Sequence, residues 1–251
     1  MRIGAPLPPQ PGPSVTAVAS AASDVLGPVA PGEIVTVYGS GLGPSQLTSG
    51  GLSGSGLLQT QVAGTQVSFN GTPAPIIYTW GPAVCVIVPY QITGTSAQVT
   101  VTYQGQTSGP ITVSTAPSAP GVFVWELLSS GKGQALVVNQ DGSINSTNIP
   151  ARVGSVITLY ATGEGQTSPG GIDGKIASAP APQPILPVTV TIGGQTVQPQ
   201  YAGGAPGEVA GVMQINVQIP SGVQPGVAVP ITVQVGQASS QPSVTIAVAT
   251  N

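Results

Sequence analysis

Apolar and polar residues alternate along most of this chain with the two-residue period of a strand that has one face in a core and one in water. Val99-Thr100-Val101-Thr102-Tyr103, Val156-Ile157-Thr158-Leu159-Tyr160 and Ile231-Thr232-Val233-Gln234-Val235 keep that period, and each run closes within a few residues on Gly, Pro, Asn or Asp. Ile34-Val35-Thr36-Val37-Tyr38 is of the same type, whereas Val84-Cys85-Val86-Ile87-Val88 is apolar without interruption. No stretch combines a helical period with capping residues. Short strands at regular spacing between turn signals predict an all-β protein built as a sandwich or barrel.

The pattern also repeats. Pro31-Gly32-Glu33-Ile34-Val35-Thr36-Val37-Tyr38 aligns with Val153-Gly154-Ser155-Val156-Ile157-Thr158-Leu159-Tyr160, and Val67-Ser68-Phe69-Asn70-Gly71 with Val190-Thr191-Ile192-Gly193-Gly194. Further on, Tyr78 matches Tyr201, Val86-Ile87-Val88-Pro89 matches Val217-Gln218-Ile219-Pro220, and Val101 matches Val233. The spacing between matched blocks widens chiefly between the Tyr201 and Pro220 blocks, in a connection, where length change is tolerated best. Two tandem immunoglobulin-like β-sandwich domains are therefore expected: a Pro-rich leader over 1–14, a first domain over 15–118 and a second over 119–251. The boundary is placed near Ala116-Pro117-Ser118-Ala119-Pro120, where two prolines interrupt any strand.

At these residues the chain resembles two families. The stretch from Val15 to Gly43, with Gly133-Gln134-Ala135-Leu136-Val137-Val138-Asn139-Gln140-Asp141-Gly142-Ser143 and Gln214-Ile215-Asn216-Val217-Gln218-Ile219-Pro220, is similar to an uncharacterised C-terminal domain family of Solibacter-type acidobacteria. Pro31 to Gly43 also resembles the first strand of IPT/TIG immunoglobulin-like domains. The resemblance implies secretion and a place at the end of large surface proteins, and it carries no catalytic residues to transfer.

Composition narrows the function. Of 251 residues only 4% are charged, with 4 Lys and Arg against 7 Asp and Glu, while 36 Gly and 27 Pro accompany 40% apolar residues. Soluble proteins carry about 25% charged residues, so this surface lacks the usual electrostatic repulsion, and self-association is expected. Four scattered basic residues, Arg2, Lys132, Arg152 and Lys175, exclude a nucleic-acid footprint. No apolar run is long enough for a membrane-spanning helix, and Met1 to Pro6 lacks the apolar core of a secretory signal. An extracellular or cell-surface location is expected, with the signal not present in this chain.

Chemistry is sparse. With no His, a Ser or Cys nucleophile lacks its usual base, and zinc or iron lacks nitrogen ligands; Cys85 alone supplies sulfur and reads as a buried apolar residue. No cofactor and no metal are expected. Glu164 and Asp173 share the loop from Gly163 to Ala179 and read as solvated acids. Asn139 to Asn145 has the alternating oxygens of a calcium loop but lacks its terminal acids, so a tight hairpin turn at Asp141-Gly142 is expected. An intramolecular isopeptide crosslink would require Lys132 or Lys175 to be buried beside an acid, and both follow Gly in turns. Asn70-Gly71-Thr72 and Asn145-Ser146-Thr147 match glycosylation sequons.

Two non-catalytic roles follow. In the first, the chain is a structural subunit of a surface or filamentous assembly, with Val15, Thr16, Ala17, Val18, Ala19 and Ser20 adding a strand to a neighbour's sheet edge; the alternative is that these residues begin their own domain. In the second, the chain is an adhesion module for a polysaccharide or another surface protein. There Tyr78, Trp80 and Tyr90 would form an aromatic platform, against the alternative that Trp80 caps its sandwich. Trp125 is expected at the junction between the repeats.

Overall fold

The computed structural model describes residues 12–125 and 133–250. Among them there is no α-helix, and the chain forms two tandem immunoglobulin-like β-sandwiches. In the first sandwich one sheet runs in the order Ser14–Ser20, Ile34–Ser40, Ala83–Ile87, Ile76–Trp80 and Thr48–Ser49. The facing sheet is centred on Thr65–Phe69 paired with Ser96–Tyr103, and Ile111–Ser114 lies against the other side of Ser96–Tyr103. Alternate residues of both sheets, among them Val35, Val37, Phe69, Ile76, Val84, Val99 and Val101, fill the core between them.

The second sandwich repeats this plan. Val156–Thr162 pairs with Met213–Gln218 and that strand with Tyr201–Gly204, while Val188–Ile192, Gly226–Val235 and Val244–Ala249 build the facing sheet. The likeness extends to single bonds. The Gly32 N–H donates to the Val88 carbonyl at 2.9 Å and the Gly154 N–H to the Ile219 carbonyl at 3.0 Å. The Ser108 hydroxyl accepts from the Val101 N–H at 3.1 Å, as the Ser240 hydroxyl does from the Val233 N–H at 3.0 Å. Buried backbone groups must be paired, so two copies of one fold keep these corner bonds even where the side chains diverge.

Within this chain Val15–Ser20 belongs to its own domain: Ser14–Ser20 runs antiparallel to Ile34–Ser40, with Ser20 opposite Val35, and buries Val15, Val18 and Ala19. Of the Pro-rich stretch 1–14, residues 1–11 lie outside the described residues, and Gly12, Pro13 and Ser14 lead directly into this strand. The Asn139–Asn145 segment forms a hairpin turn, with Gly142 at φ 83° and the Asp141 carboxylate accepting from the Ser143 N–H and hydroxyl. Behind the turn, Asn145 exchanges two hydrogen bonds with the backbone of Ala247, at 2.8 and 2.9 Å.

Candidate functional site in the seam between the sandwiches

Matching strands of the two sandwiches differ in one respect, and it locates the site. Met213–Gln218 alternates buried and partly exposed residues, whereas Ala83–Ile87 is buried at every position. A strand buried on both faces reads as an unbroken apolar run, and what covers the second face here is the other sandwich. Ile34, Cys85 and Ile87 point away from their own core and form a separate cluster with Ile77, Tyr78, Phe123, Val209 and Val212. Val209 and Val212 lie in the connection 205–212, the place where the spacing between the repeats widens; in the first sandwich the matching strands are joined by Gly81 and Pro82 alone. The extra residues form a tongue that rests on the first sandwich, with Gly211, at φ 99°, so close to the Gly32 carbonyl that a Cβ there would overlap it.

Hydrogen bonds complete the seam. The Thr162 hydroxyl accepts from the Ile34 N–H at 2.8 Å, and the Leu58 N–H donates to the Gly174 carbonyl at 2.9 Å beside a bridge between Leu57 and Lys175. Tyr90 is held at both ends of its peptide: Asp173 accepts from its N–H at 2.8 Å, and the Gln166 side chain donates to its carbonyl at 2.6 Å. Its ring packs against Gly32 of its own sandwich and Gly171 of the other, and a Cβ at either would overlap it.

The seam also holds the buried acids of the described residues. Glu33 is 2% exposed, and burial pushes its carboxyl up to about 8 although the Ala30 N–H donates to it at 2.9 Å. Glu164 is likewise 2% exposed and pushed up to about 8 by burial; its Oε2 has no hydrogen-bond partner among the described residues. Asp173 is half-buried and raised for the same reason, against the opposing bond from Tyr90. Both acids of the Gly163–Ala179 loop therefore depart from the solvated state expected of them, because that loop is pressed between sandwiches and not spread over a surface. Glu164 stands in the wall of a cavity of about 110 Å³, bordered by Tyr90, Ile172, Lys175, Ala177 and several prolines and glycines. Burial also drives the Tyr90 phenol far above its ordinary range, with the neighbouring Glu164 and Asp173 carboxyls adding to the effect.

The proposed aromatic platform does not assemble. Trp80 ends its strand opposite Ala83 and is 39% exposed, while Tyr90 lies beyond the far end of the Ala83–Ile87 strand and is 7% exposed in the seam. Tyr78, opposite Cys85, joins the seam cluster. Trp80 and Tyr90 are close along the chain but lie beyond opposite ends of the Ala83–Ile87 strand. Trp125 is 55% exposed near Ile144 and Ile149, and it is Phe123 that takes the junction position expected of Trp125. Lys175 is exposed at the cavity rim, which removes the burial an isopeptide needs, and Lys132 lies outside the described residues. The Cys85 thiol is buried and pushed up to about 12, chiefly by desolvation, so it stays an unreactive thiol. No group of three or more metal-ligating side chains occurs among the described residues.

The seam's first partner is a recognisable unit. Residues 23–115 match the IPT/TIG domain. Asp24, whose carboxylate accepts from the Tyr38 hydroxyl at 2.7 Å, stands near the start of this IPT/TIG domain, and Thr115, bridged to Val29, closes it. Among solved structures, similar chains include the Bacteroides ovatus mixed-linkage glucan utilization locus SGBP-B in complex with a mixed-linkage heptasaccharide, at 14% identity and TM-score 0.35, covering 92% of this chain and 45% of that one. Others are SGBP-B from a complex xyloglucan utilization locus in Bacteroides uniformis, at 13%, TM-score 0.26 and coverages of 94% and 49%, and the gamma-CGTase from an alkalophilic Bacillus clarkii, at 13%, TM-score 0.30 and coverages of 96% and 27%. The chain spans less than half the length of each of these three proteins. No curated protein matches the chain significantly.

Proposed function

We propose that this chain is a non-catalytic, extracellular structural unit: two immunoglobulin-like sandwiches locked into one stiff body that associates with copies of itself in a surface assembly. The seam carries the reading. Interdomain contacts within a chain are usually polar and permit motion, but this one combines an apolar cluster, side-chain to backbone hydrogen bonds and a tongue fitted against a glycine. Four of the seven acids support it too. Asp24, Glu33, Asp141 and Asp173 each accept a structural hydrogen bond, which ties up groups that an acid–base reaction would need free. Low surface charge favours association. Sedimentation velocity across a wide concentration range, with negative-stain imaging of the concentrated sample, is the test: growing species with ordered contacts are expected. A chain that stays monomeric at millimolar concentration would remove the assembly.

A second reading, adhesion to a polysaccharide or another surface protein, is favoured by the exposure of Trp80 and Trp125. Because Trp80 is only partly covered, Trp80→Ala is expected to shift the melting temperature little while abolishing retention on an immobilised polysaccharide; unchanged retention would exclude Trp80 from any such surface.

A further inference from the structure

We propose that the cavity over Glu164 is a binding site for a primary ammonium group on a short alkyl stem. Glu164, in its wall, is a carboxyl that the fold has almost wholly removed from water and whose Oε2 has no hydrogen-bond partner among the described residues. Leaving a buried polar atom unmatched costs free energy that natural folds avoid unless a missing group supplies the bond. An ammonium supplies both what an unpaired carboxylate lacks, a counter-charge and N–H donors, in one compact group. The remaining wall is suited to the stem. Ile172, Ala177 and prolines 169, 180 and 182 are apolar, and about 110 Å³ leaves room for only a few carbons. Tyr90 adds an aromatic border, favourable to a cation, and cannot turn away because Gly32 and Gly171 hold its ring.

The titratable neighbours are Tyr90 and Tyr201, both neutral through the physiological range, with Asp173 beyond Tyr90 and Lys175 at the rim. Lys175 disfavours a dication, so a singly charged amine fits best. Near neutral pH Glu164 is largely a carboxylic acid; binding an ammonium ionises it, and one proton leaves to solvent while the amine keeps its own three.

The probes are propylammonium, for a free amine, and Nα-acetyl-lysine amide, for the same group borne on a peptide, with 1-propanol as the uncharged control. Calorimetry at pH 7 in two buffers of different ionisation enthalpy should show saturable one-to-one binding of at least one amine, release of a proton and no binding of the alcohol. Binding of propylammonium but not of the lysine amide assigns a free amine, and the reverse assigns a peptide lysine. Glu164→Gln should weaken binding at least about tenfold, as expected when a buried charge partner is lost. Ala177→Leu, which adds bulk to the cavity wall and leaves the acid itself unchanged, should do the same and serves if the first variant fails to fold. Absence of saturable binding by either amine, or equal affinity in the folded Glu164→Gln variant, overturns the proposal. Binding that appears only in Lys175→Met also overturns it, because the cavity would then belong to this chain's own lysine.

Discussion

Glu33 and Glu164 make the seam sensitive to proton concentration. Both carboxyls are raised by burial from the ordinary 4.5 to about 8, so the folded chain holds these protons more tightly than the unfolded chain. A raised carboxyl lends its full stability below about 4.5 and loses it progressively as pH climbs toward 8, beyond which the loss is complete. Asp173 shifts in the same direction. The melting temperature should therefore fall between pH 5 and pH 8. The double variant Glu33→Gln, Glu164→Gln should flatten that slope, and a wild-type melting temperature that rises over this interval would refute the assignment. None of this was legible from the residues alone. An acid flanked by glycines in a long loop resembles a solvated one until the neighbouring domain is in place, and Tyr90 likewise takes its role from Gly171 and Asp173, far away in sequence.

Strands were the legible level. Tyr38 with Tyr160, Val101 with Val233 and Pro89 with Pro220 proved to be equivalent positions because each sits beside a backbone bond that both copies need, and such bonds constrain sequence through turn and core residues. The uninterrupted Val84–Val88 run held a further signal: against the alternating Met213–Gln218 strand it marks the sheet whose outer face is covered. What the strand pattern leaves open is which edges meet other chains. Ser14–Ser20 is terminal in its sheet, and its exposed Thr16 carries no charge. Proteins guard such edges with lysine. Thr16→Lys should change the stability by no more than about 0.5 kcal/mol, as exposed substitutions do, while reducing self-association in sedimentation; undiminished association would exonerate this edge. Removing residues 1–20 is a harsher change, since it strips Val15, Val18 and Ala19 from the core and should unfold the first sandwich.

For the whole molecule, the seam couples two bodies that could each have melted alone. Calorimetry of the intact chain should give one transition in which the calorimetric and van't Hoff enthalpies agree. Gly211→Val forces a side chain against the Gly32 carbonyl from a left-handed backbone, so it should lower the melting temperature and split the transition in two. A single unshifted transition in that variant would mean that the tongue contributes nothing to the coupling.

That tongue also has a bearing on stoichiometry. Residues 205–212 have no counterpart in the first sandwich, where Gly81 and Pro82 make the same connection. Conversely, the seat it occupies has no counterpart in the second: Ser155 stands where the first copy has Glu33, Ser221 where it has Tyr90, and Gly154 faces open space where Gly32 meets a ring. Key and lock are thus each present once, on opposite partners, and the joint is self-terminating. It makes a dyad and cannot recruit a third sandwich of either kind, so any longer array must be polymerised through chemistry that the seam does not use.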